Sequence, residues 1–254
     1  MNFVRLMHFM VVLSVGVLAV LAGVALDFSP LDAVVQIDRL REVFAFDRDQ
    51  FTDSFWHLTF AALWETLQIA YLGTFLGVFL ALPFVFLASE HVSYRFVAIC
   101  FRSFFALFRA TPTLLWAIIF VILTGLGTTA GVLAVTCVTI GYFGKLTTDE
   151  LDTIPVSKAD AFVATGAGRW HIIRFVYWPM LLPKMLMTAL FLFEYNIRHS
   201  TLLGIVGAGG IGFYIAGYLK WLEYDLAFAL IGIIFAMVVV LEVITMQIKK
   251  HLLR

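Results

Sequence analysis

Long uncharged stretches alternate with short polar ones along the whole chain, and this alternation is the dominant pattern of the sequence. Each uncharged stretch approaches the ~20 apolar residues that a helix needs to cross a membrane. The pattern predicts six membrane-spanning helices: 9–26, 65–88, one that follows residue 95 and ends near 123, one that follows residue 131 and ends near 144, one that starts at 185, and 226–248. Pro112 interrupts the third of them.

The composition supports this interpretation. Hydrophobic residues make up 62% of the 254 residues, charged residues only 13%, and the mean hydropathy is +0.99. About a quarter of the residues of an ordinary soluble domain are charged, so a soluble fold of this size would lack the charges that cover its surface. We therefore predict an all-α, polytopic membrane protein and exclude a soluble enzyme.

The positions of the basic residues predict the orientation of these helices. If the first span starts inside, a large majority of the Lys and Arg residues fall on the cytoplasmic side, as the positive-inside bias requires. Both termini are then cytoplasmic. The 17 basic and 17 acidic residues cancel, so charge gives no reason to expect a nucleic-acid partner. Cys100 and Cys137 lie among apolar residues without metal-ligand spacing, and we interpret them as buried free thiols.

The N-terminal part differs from the rest of the chain. A signal peptide would also show an apolar stretch like 9–26, but no clear small-residue cleavage site follows it, so we interpret it as a retained span. The acidic stretch after it carries Leu40, Val43 and Phe44 at helical spacing, which indicates an amphipathic helix on the outer membrane surface. We therefore divide the chain into 1–56, this helix plus the periplasmic acidic segment, and 57–254, the main membrane domain.

The longest polar stretch on the predicted cytoplasmic side is 145–184. Ser157 followed by Asp160 is typical of an N-cap, and Gly166 is expected to stop the helix by taking a left-handed conformation. A second helix is predicted from Arg169, with Pro179 and Pro183 limiting its extension. Two helices around a glycine turn would form a rigid knob that suits docking to a partner. An ordinary cytoplasmic loop remains the alternative.

Two glycine patterns call for an interpretation. Gly73 and Gly77 form a G-x-x-x-G that lets two membrane helices approach closely. The cluster 207–212 matches G-x-G-x-x-G, but a dinucleotide site needs a strand before it and a helix after it, which a position between two spans does not offer. The glycines of this cluster are expected to allow a tight turn and close packing, or a helix break that lines a cavity. They are Gly207, Gly209, Gly210 and Gly212.

The fifth predicted span contains unusual polar residues. Glu194, Asn196, Arg198 and His199 lie in or near it, and an ionisable group at membrane depth costs about 2.5–3.5 kcal/mol, so it is usually paired or faces water. Glu194 and Arg198 are four residues apart, which allows a pair on one helix face. The alternative is that they line a translocation pathway, where Arg198 would bind an anion through charge-assisted hydrogen bonds.

The knob segment also resembles a known motif. It follows the pattern E-A-A-x3-G-x9-I-x-L-P of the permease subunits of binding-protein-dependent ABC importers. The residues that match its positions are Asp160, Ala161, Phe162, Gly166, Val176, Trp178 and Pro179. In that family the motif forms the coupling helix, here at about 157–166, which docks to a cytoplasmic ATPase. The resemblance implies that Asp160, Ala161, Phe162 and Gly166 dock the ATPase, with Pro179 closing the segment, and it implies the type I ABC importer permease fold.

A longer resemblance concerns the substrate. The run 196–212, Glu65-Thr66, 109–112 and 125–127 are similar to the phosphonate/phosphite permeases within that importer family. The resemblance covers roughly 55–254. It implies a pathway or gate for phosphonate or a related oxyanion such as phosphite, hypophosphite or phosphate. The residues assigned to this pathway or gate are Glu194, Asn196, Arg198, Gly207, Gly209, Gly210 and Gly212.

The energy source must lie on another subunit. No G-x-x-x-x-G-K-[ST] occurs in the sequence, so this chain is expected to be no enzyme and to bind no cofactor of its own. The resemblance implies two ATPase subunits that bind ATP and Mg, a second permease copy, a periplasmic binding protein, and a location in the bacterial inner membrane among its lipids. The alternatives are a stand-alone secondary transporter that uses Glu65, Glu194 and Arg198 as an ion relay, and a membrane scaffold.

Overall fold

The computed structural model describes residues 51–252 and, before them, only Met10, Leu13, Ser14, Gly16, Val17, Leu21 and Ala25. Most of the first predicted span and the acidic segment up to residue 50, with Leu40, Val43 and Phe44, therefore lie outside the described residues. Contacts divide the chain into Met1–Asp47 and Arg48–Arg254, and everything below concerns the second unit. The domain boundary between residues 56 and 57 stays a prediction.

All regular structure in 51–252 is helical, which confirms the all-α fold class. The helices are α1 (Asp53–Ala88), α2 (Arg95–Ala110), α3 (Thr113–Thr124), α4 (Thr128–Asp152), α5 (Val156–Val163), α6 (Arg169–Ile172), α7 (Trp178–Ile205), α8 (Ile211–Lys220) and α9 (Tyr224–Leu252). A π-helical turn, Ile173–Tyr177, joins α6 to α7.

Several of these helices are membrane spans. Within the described part of the chain, four segments are long and apolar enough to cross a membrane: Asp53–Ala88, Thr128–Asp152, Arg169–Ile205 and Tyr224–Lys250. Helices α2 and α3 are bent by 85° and form a fifth span if the pair crosses as one. Pro112 is the N-cap of α3, so the interruption predicted for the third span is confirmed.

Helices α1 and α4 extend well beyond the predicted spans, and the fifth span starts before residue 185, at Arg169. Helix α1 begins at Asp53 rather than near Glu65, because Thr52 Oγ1 accepts the Phe55 N–H (3.4 Å) and Asp53 lies in the positive first turn. Helix α4 continues past residue 144 to Asp152. Its polar last turns carry a Lys145–Asp149 ion pair (Nζ to Oδ1, 2.5 Å) at the helical spacing of four residues.

The prediction that Pro179 and Pro183 limit the second knob helix is wrong. Helix continues through both prolines up to Ile205. Pro179 lies in the first turn of α7, directly after the π-helical turn. A proline has no backbone N–H, so inside a regular helix it would break the ladder of hydrogen bonds. The π-turn therefore absorbs the irregularity and lets the helix run on.

Helix α4 is the centre of the bundle and lies against α1, α2, α3 and α7. The closest approach is to α1, where a Cβ on Gly73 would come within 2.5 Å of Val135 Cγ1, and a Cβ on Gly77 would overlap Thr139. Small residues allow this approach, so the interpretation of the G-x-x-x-G as a packing motif is confirmed.

The two cysteines are free, as expected, but they are not both buried. Cys100 on α2 is exposed and Cys137 on α4 is half-buried. Apolar neighbours in sequence do not imply burial in a membrane protein, because apolar side chains also cover the surface that faces lipid.

Candidate coupling and translocation site

The segment 155–169, which we name the coupling knob, consists of α5, a glycine turn and the start of α6. The helix begins at Val156, and its N-cap is Pro155, so the N-cap role predicted for Ser157 is wrong. The proline ring fixes the φ angle of the extended residue before the helix, and Ser157 lies inside the first turn. Gly166 has φ +79° and open space around it. Its left-handed conformation, as predicted, therefore accounts for the glycine.

The coupling knob has one buried and one exposed side. Ala159 is only 6% exposed and packs in the same apolar cluster as Ala88, Phe105 and Leu151. On the other side the motif residues Asp160, Ala161 and Phe162 and the turn residue Gly166 are all exposed. Pro179 is exposed too, but it lies on the first turn of α7. A helix anchored on one side and free on the other can dock to a partner without unfolding.

A polar cluster, which we name the base network, holds the end of α4 just before the knob. Arg102 Nη2 donates to Asp152 Oδ2 (2.5 Å) and Arg102 Nε donates to the Ala88 carbonyl (2.9 Å). Ser89 Oγ, from a fully buried side chain, donates to Asp152 Oδ1 (2.6 Å). Both carboxylate oxygens of Asp152 are thus bonded, which fixes its side chain.

Helix α7 contacts the same region from the other side. Thr188 Oγ1 donates to Glu150 Oε1 (3.3 Å) and Lys184 Nζ donates to Thr153 Oγ1 (3.1 Å). The end of α4 is therefore held between α2 and α7, and the knob leaves from a fixed point.

The charged residues of α7 pair with α9. Glu194 accepts from Lys249 Nζ (3.1 and 3.2 Å) and from Thr245 Oγ1, whereas Arg198 Nη2 donates to Glu242 Oε2 (2.9 Å). The structure therefore does not form the Glu194–Arg198 pair that the sequence suggested. Helix α9 places a residue of opposite charge beside Glu194 and another beside Arg198. These contacts between helices take the place of the predicted pair within α7.

The two ion pairs differ in exposure. The side chains of Glu194 and Lys249 are 12% and 23% exposed, whereas those of Arg198 and Glu242 are 51% and 50% exposed. Charge at membrane depth meets a partner or water rather than lipid, so the face of the bundle that carries the half-exposed Arg198–Glu242 pair is expected to meet water or another protein surface.

Asn196 lies in the interior rather than on that face. It is 1% exposed, and its amide donates to Thr74 Oγ1 of α1 (2.7 Å) and Thr139 Oγ1 of α4 (2.8 Å). Ser200 Oγ donates to the Asn196 carbonyl (2.7 Å). These contacts give Asn196 a packing role at the junction of three helices.

The glycine cluster forms a buried turn between α7 and α8. Gly207, Gly209 and Gly210 have φ of +87°, +84° and +75°, which favours glycine. The Gly207 carbonyl accepts the Gly127 N–H (2.9 Å). The turn joins two helices, so helix α7 stands where a dinucleotide fingerprint needs a strand.

The far side of this turn is packed closely as well. The Ile211 N–H donates to Thr66 Oγ1 (2.9 Å), and a Cβ on Gly212 would overlap the Thr201 carbonyl. Of the two expectations for the cluster, the tight turn with close packing describes this geometry.

Helix α8 follows the turn and is too short to cross a membrane, at about 15 Å for ten residues. Its Tyr218 borders an open pocket together with Trp221 and Glu223. Burial, followed by the nearby Glu223 carboxylate and Tyr214, raises the pKa of Tyr218 above its ordinary value.

Sequence reasoning gave no contact role to many polar residues of these clusters, among them Ser89, Asp152, Glu242 and Lys249. For Glu242 a signal existed, because it is a carboxylate within an otherwise apolar stretch, like Glu194 in the fifth span. Asp152 and Arg102 are 50 residues apart, and no local spacing relates them.

Comparison with known proteins agrees with this geometry. The family described as "binding-protein-dependent transport system inner membrane component" matches residues 73–254. The phosphate-import permease protein PhnE of Mycolicibacterium smegmatis is 33% identical over 76% of this chain and 36% of its own length. The putative phosphite transport system permease protein HtxC of Stutzerimonas stutzeri is 31% identical over 74% of this chain and 67% of its own. The chain thus spans about a third of the first relative and two thirds of the second.

The fold has a solved counterpart. An inward-facing MetNI methionine ABC transporter chain superposes with a TM-score of 0.68 and 22% identity, covering 80% of this chain and all of that one. This likeness confirms the type I importer permease fold. The apolar spans and the family description place the protein in the inner membrane as a multi-pass component. The predicted resemblance is confirmed, and the chain belongs to the family of inner membrane components of binding-protein-dependent transport systems.

Proposed function

We propose that the chain is the permease subunit of an ATP-driven ABC importer that moves a phosphorus oxyanion inward across the inner membrane. The observation that carries this proposal is the coupling knob, whose buried side is fixed to the bundle while Asp160, Ala161 and Phe162 stay exposed. A surface of this kind can receive the movement of a docked ATPase and pass it to the helices.

The partners follow from this role. Two ATPase subunits would bind ATP and Mg and dock on two coupling knobs, one from each copy of a permease homodimer. A periplasmic binding protein would deliver the substrate to the outer face. Inward movement of an anion opposes an inside-negative potential at about 2.3 kcal/mol per charge per 100 mV, so concentrative uptake needs this energy source.

The substrate class rests on two supports. The relatives are named for phosphate import and phosphite transport. The half-exposed guanidinium of Arg198 can bind an oxyanion at membrane depth. Until the anion binds, the Glu242 carboxylate balances the positive charge of Arg198. Phosphonate, phosphite, hypophosphite and phosphate all present the oxygens that such a group binds.

The docking part is tested by purifying the permease with its ATPase and comparing Asp160→Lys with Glu90→Lys. Both residues are exposed carboxylates, but Glu90 lies outside the coupling knob, in the turn after α1. We expect Asp160→Lys to lose the bound ATPase and Glu90→Lys to keep it. Equal retention in the two variants would contradict docking through this face.

The substrate part is tested in proteoliposomes that contain the purified complex and its binding protein. We expect accumulation of labelled phosphite, methylphosphonate or inorganic phosphate that depends on ATP. Accumulation by the permease alone, without an ATPase, would instead favour a secondary transporter. ATP-dependent uptake of D-methionine but of none of these three anions would contradict the substrate class.

A further inference from the structure

Contacts with helix α2 and with its N-cap residue lie at the two ends of the coupling knob. Asp152 lies three residues before Pro155 and contacts Arg102 of α2. At the other end, the guanidinium of Arg169 lies over the ring of Tyr94, the N-cap residue of α2, at 5.1 Å from the ring centre. The Arg102–Asp152 contact, with a weaker cation–π contact between exposed side chains at the other end, restrains the knob against pivoting on α2.

The first attachment is stiff. Arg102 donates hydrogen bonds to the C-terminal ends of two helices, to Ala88 of α1 and to Asp152 of α4. Ser89 bonds the other carboxylate oxygen and is itself fully buried. A planar guanidinium in this arrangement fixes direction as well as distance, which a lysine ammonium does not.

Apolar packing continues the same connection. Phe105, one turn further along α2, is fully buried, and its ring lies against Gly144 so closely that a Cβ on this glycine would overlap it. Ala159 of the knob belongs to the same apolar cluster. The knob, the end of α4 and α2 as far as Phe105 thus form one packed unit.

From this geometry we propose that α2 is the element that carries coupling-knob movement into the membrane, with Arg102 and Asp152 as its positioning residues. The inference rests on the proposed ATPase docking. Helix α2 leads through the 85° bend into α3, and the turn after α3 is bonded to the glycine turn through Gly127 and Gly207. Movement of the knob therefore has a continuous route to the turn between α7 and α8.

The chain offers a matched control for the base network. Lys145 and Asp149 form an ion pair of the same length on the same helix α4, but the pair stays within one helix. Asp149→Asn removes one charge from α4, as Asp152→Asn does, and leaves both attachments of the knob in place.

The experiment measures ATP hydrolysis and the uptake of phosphite and inorganic phosphate by the reconstituted complex. We expect Asp152→Asn to retain the bound ATPase and its hydrolysis and to lower uptake per ATP by about fivefold or more, at the low end of usual coupling effects. Arg102→Lys keeps the charge but loses the two-element contact, so it should show an intermediate loss. Asp149→Asn should leave the ratio unchanged.

A second measurement does not need the substrate. Spin labels at Ser157 of the knob and Leu107 of α2, in a cysteine-free chain diluted with unlabelled chain, report the distance between the two elements. We expect the same narrow distance distribution without nucleotide and in the vanadate-trapped state, and a broader one in Asp152→Asn.

The outcomes separate the two proposals. If the unaltered chain retains no ATPase, the proposed function fails and the inference fails with it. If the ATPase binds but the label distance in the unaltered chain changes with nucleotide, only the inference is overturned. An unchanged uptake ratio in Asp152→Asn also overturns the inference alone.

Discussion

The core where α1, α4 and α7 meet and the seam between α7 and α9 are built in different ways. In an apolar 18-residue stretch of α4, 61% of the residues are buried, whereas in the corresponding stretch of α9 only 17% are. The core relies on glycines that admit close backbone approach and on Asn196, whose amide donates to a threonine on each of two neighbouring helices. The seam relies on two ion pairs, one of them half-exposed.

This difference indicates where the protein can move. Side chains that interdigitate at one helix–helix distance lose these contacts when the helices separate. The core is therefore expected to move as one body. A half-exposed ion pair can exchange its partner for water or an anion at little cost. We therefore expect rearrangement during transport at the seam.

The strongest test of the comparison places the same side chain in both regions. Gly77→Val puts a branched side chain against Thr139, whereas Gly232→Val in α9 meets open space. Overpacking typically costs about 1–3 kcal/mol, so we expect Gly77→Val to lower the thermal unfolding temperature by several degrees or to prevent folding. Gly232→Val should unfold like the unaltered chain, as measured by thermal unfolding in detergent. Equal losses in the two variants would break the comparison.

The second test removes the polar junction of the core. Asn196→Ala leaves the hydroxyl groups of Thr74 and Thr139 without their amide donor. Hydrogen bonds between membrane helices contribute about 0.6–1.7 kcal/mol, so the expected loss of stability is smaller than for Gly77→Val. Denaturant unfolding in mixed micelles measures it. A stability equal to that of the unaltered chain would show that this junction contributes nothing.

The core was accessible from the sequence because its signals are local. Gly73 and Gly77 lie one helical turn apart, and that spacing alone predicts a close helix contact. Gly166 likewise marked a left-handed turn by its position after a short helix. In both cases the backbone conformation or the packing distance leaves few residue types that fit.

The seam was not accessible in this way, because its contacts join distant parts of the chain. Glu194 and Arg198 suggested a pair with each other, and only the structure brings Lys249 and Glu242 beside them. The prolines misled for a related reason. A π-turn before Pro179 restores the helix, and nothing in the sequence marks it.

The third test addresses the seam itself. Glu242→Gln leaves Arg198 charged and unpaired, so a phosphorus oxyanion should bind there more firmly and leave more slowly. We expect a lower KM and a lower maximal rate for phosphite uptake, with a change in stability of at most about 1 kcal/mol because the pair is half-exposed. Glu194→Gln should lower the unfolding temperature more than Glu242→Gln does, since its pair is mostly buried.

A contrary result for this third test is easily recognised. If uptake by Glu242→Gln has unchanged kinetics, Arg198 does not meet the anion. If Glu242→Gln destabilises the protein more than Glu194→Gln, the half-exposed pair is the structural one and the seam is more rigid than its exposure indicates.

The smallest expected effect concerns the end of α8, which lies beside α9. Burial and the Glu223 carboxylate raise the pKa of Tyr218, so its neutral form is favoured in the folded protein. The associated stability is fully present below the pKa of an unfolded tyrosine, about 10, and is lost as the pH rises through the higher folded value. Glu223→Gln removes the second cause, so Tyr218 should ionise at a lower pH in an absorbance titration near 295 nm, with Tyr218→Phe identifying its signal. Because burial remains, the midpoint should stay above that of a free tyrosine, and a return to the free value would show that charge rather than burial dominates here.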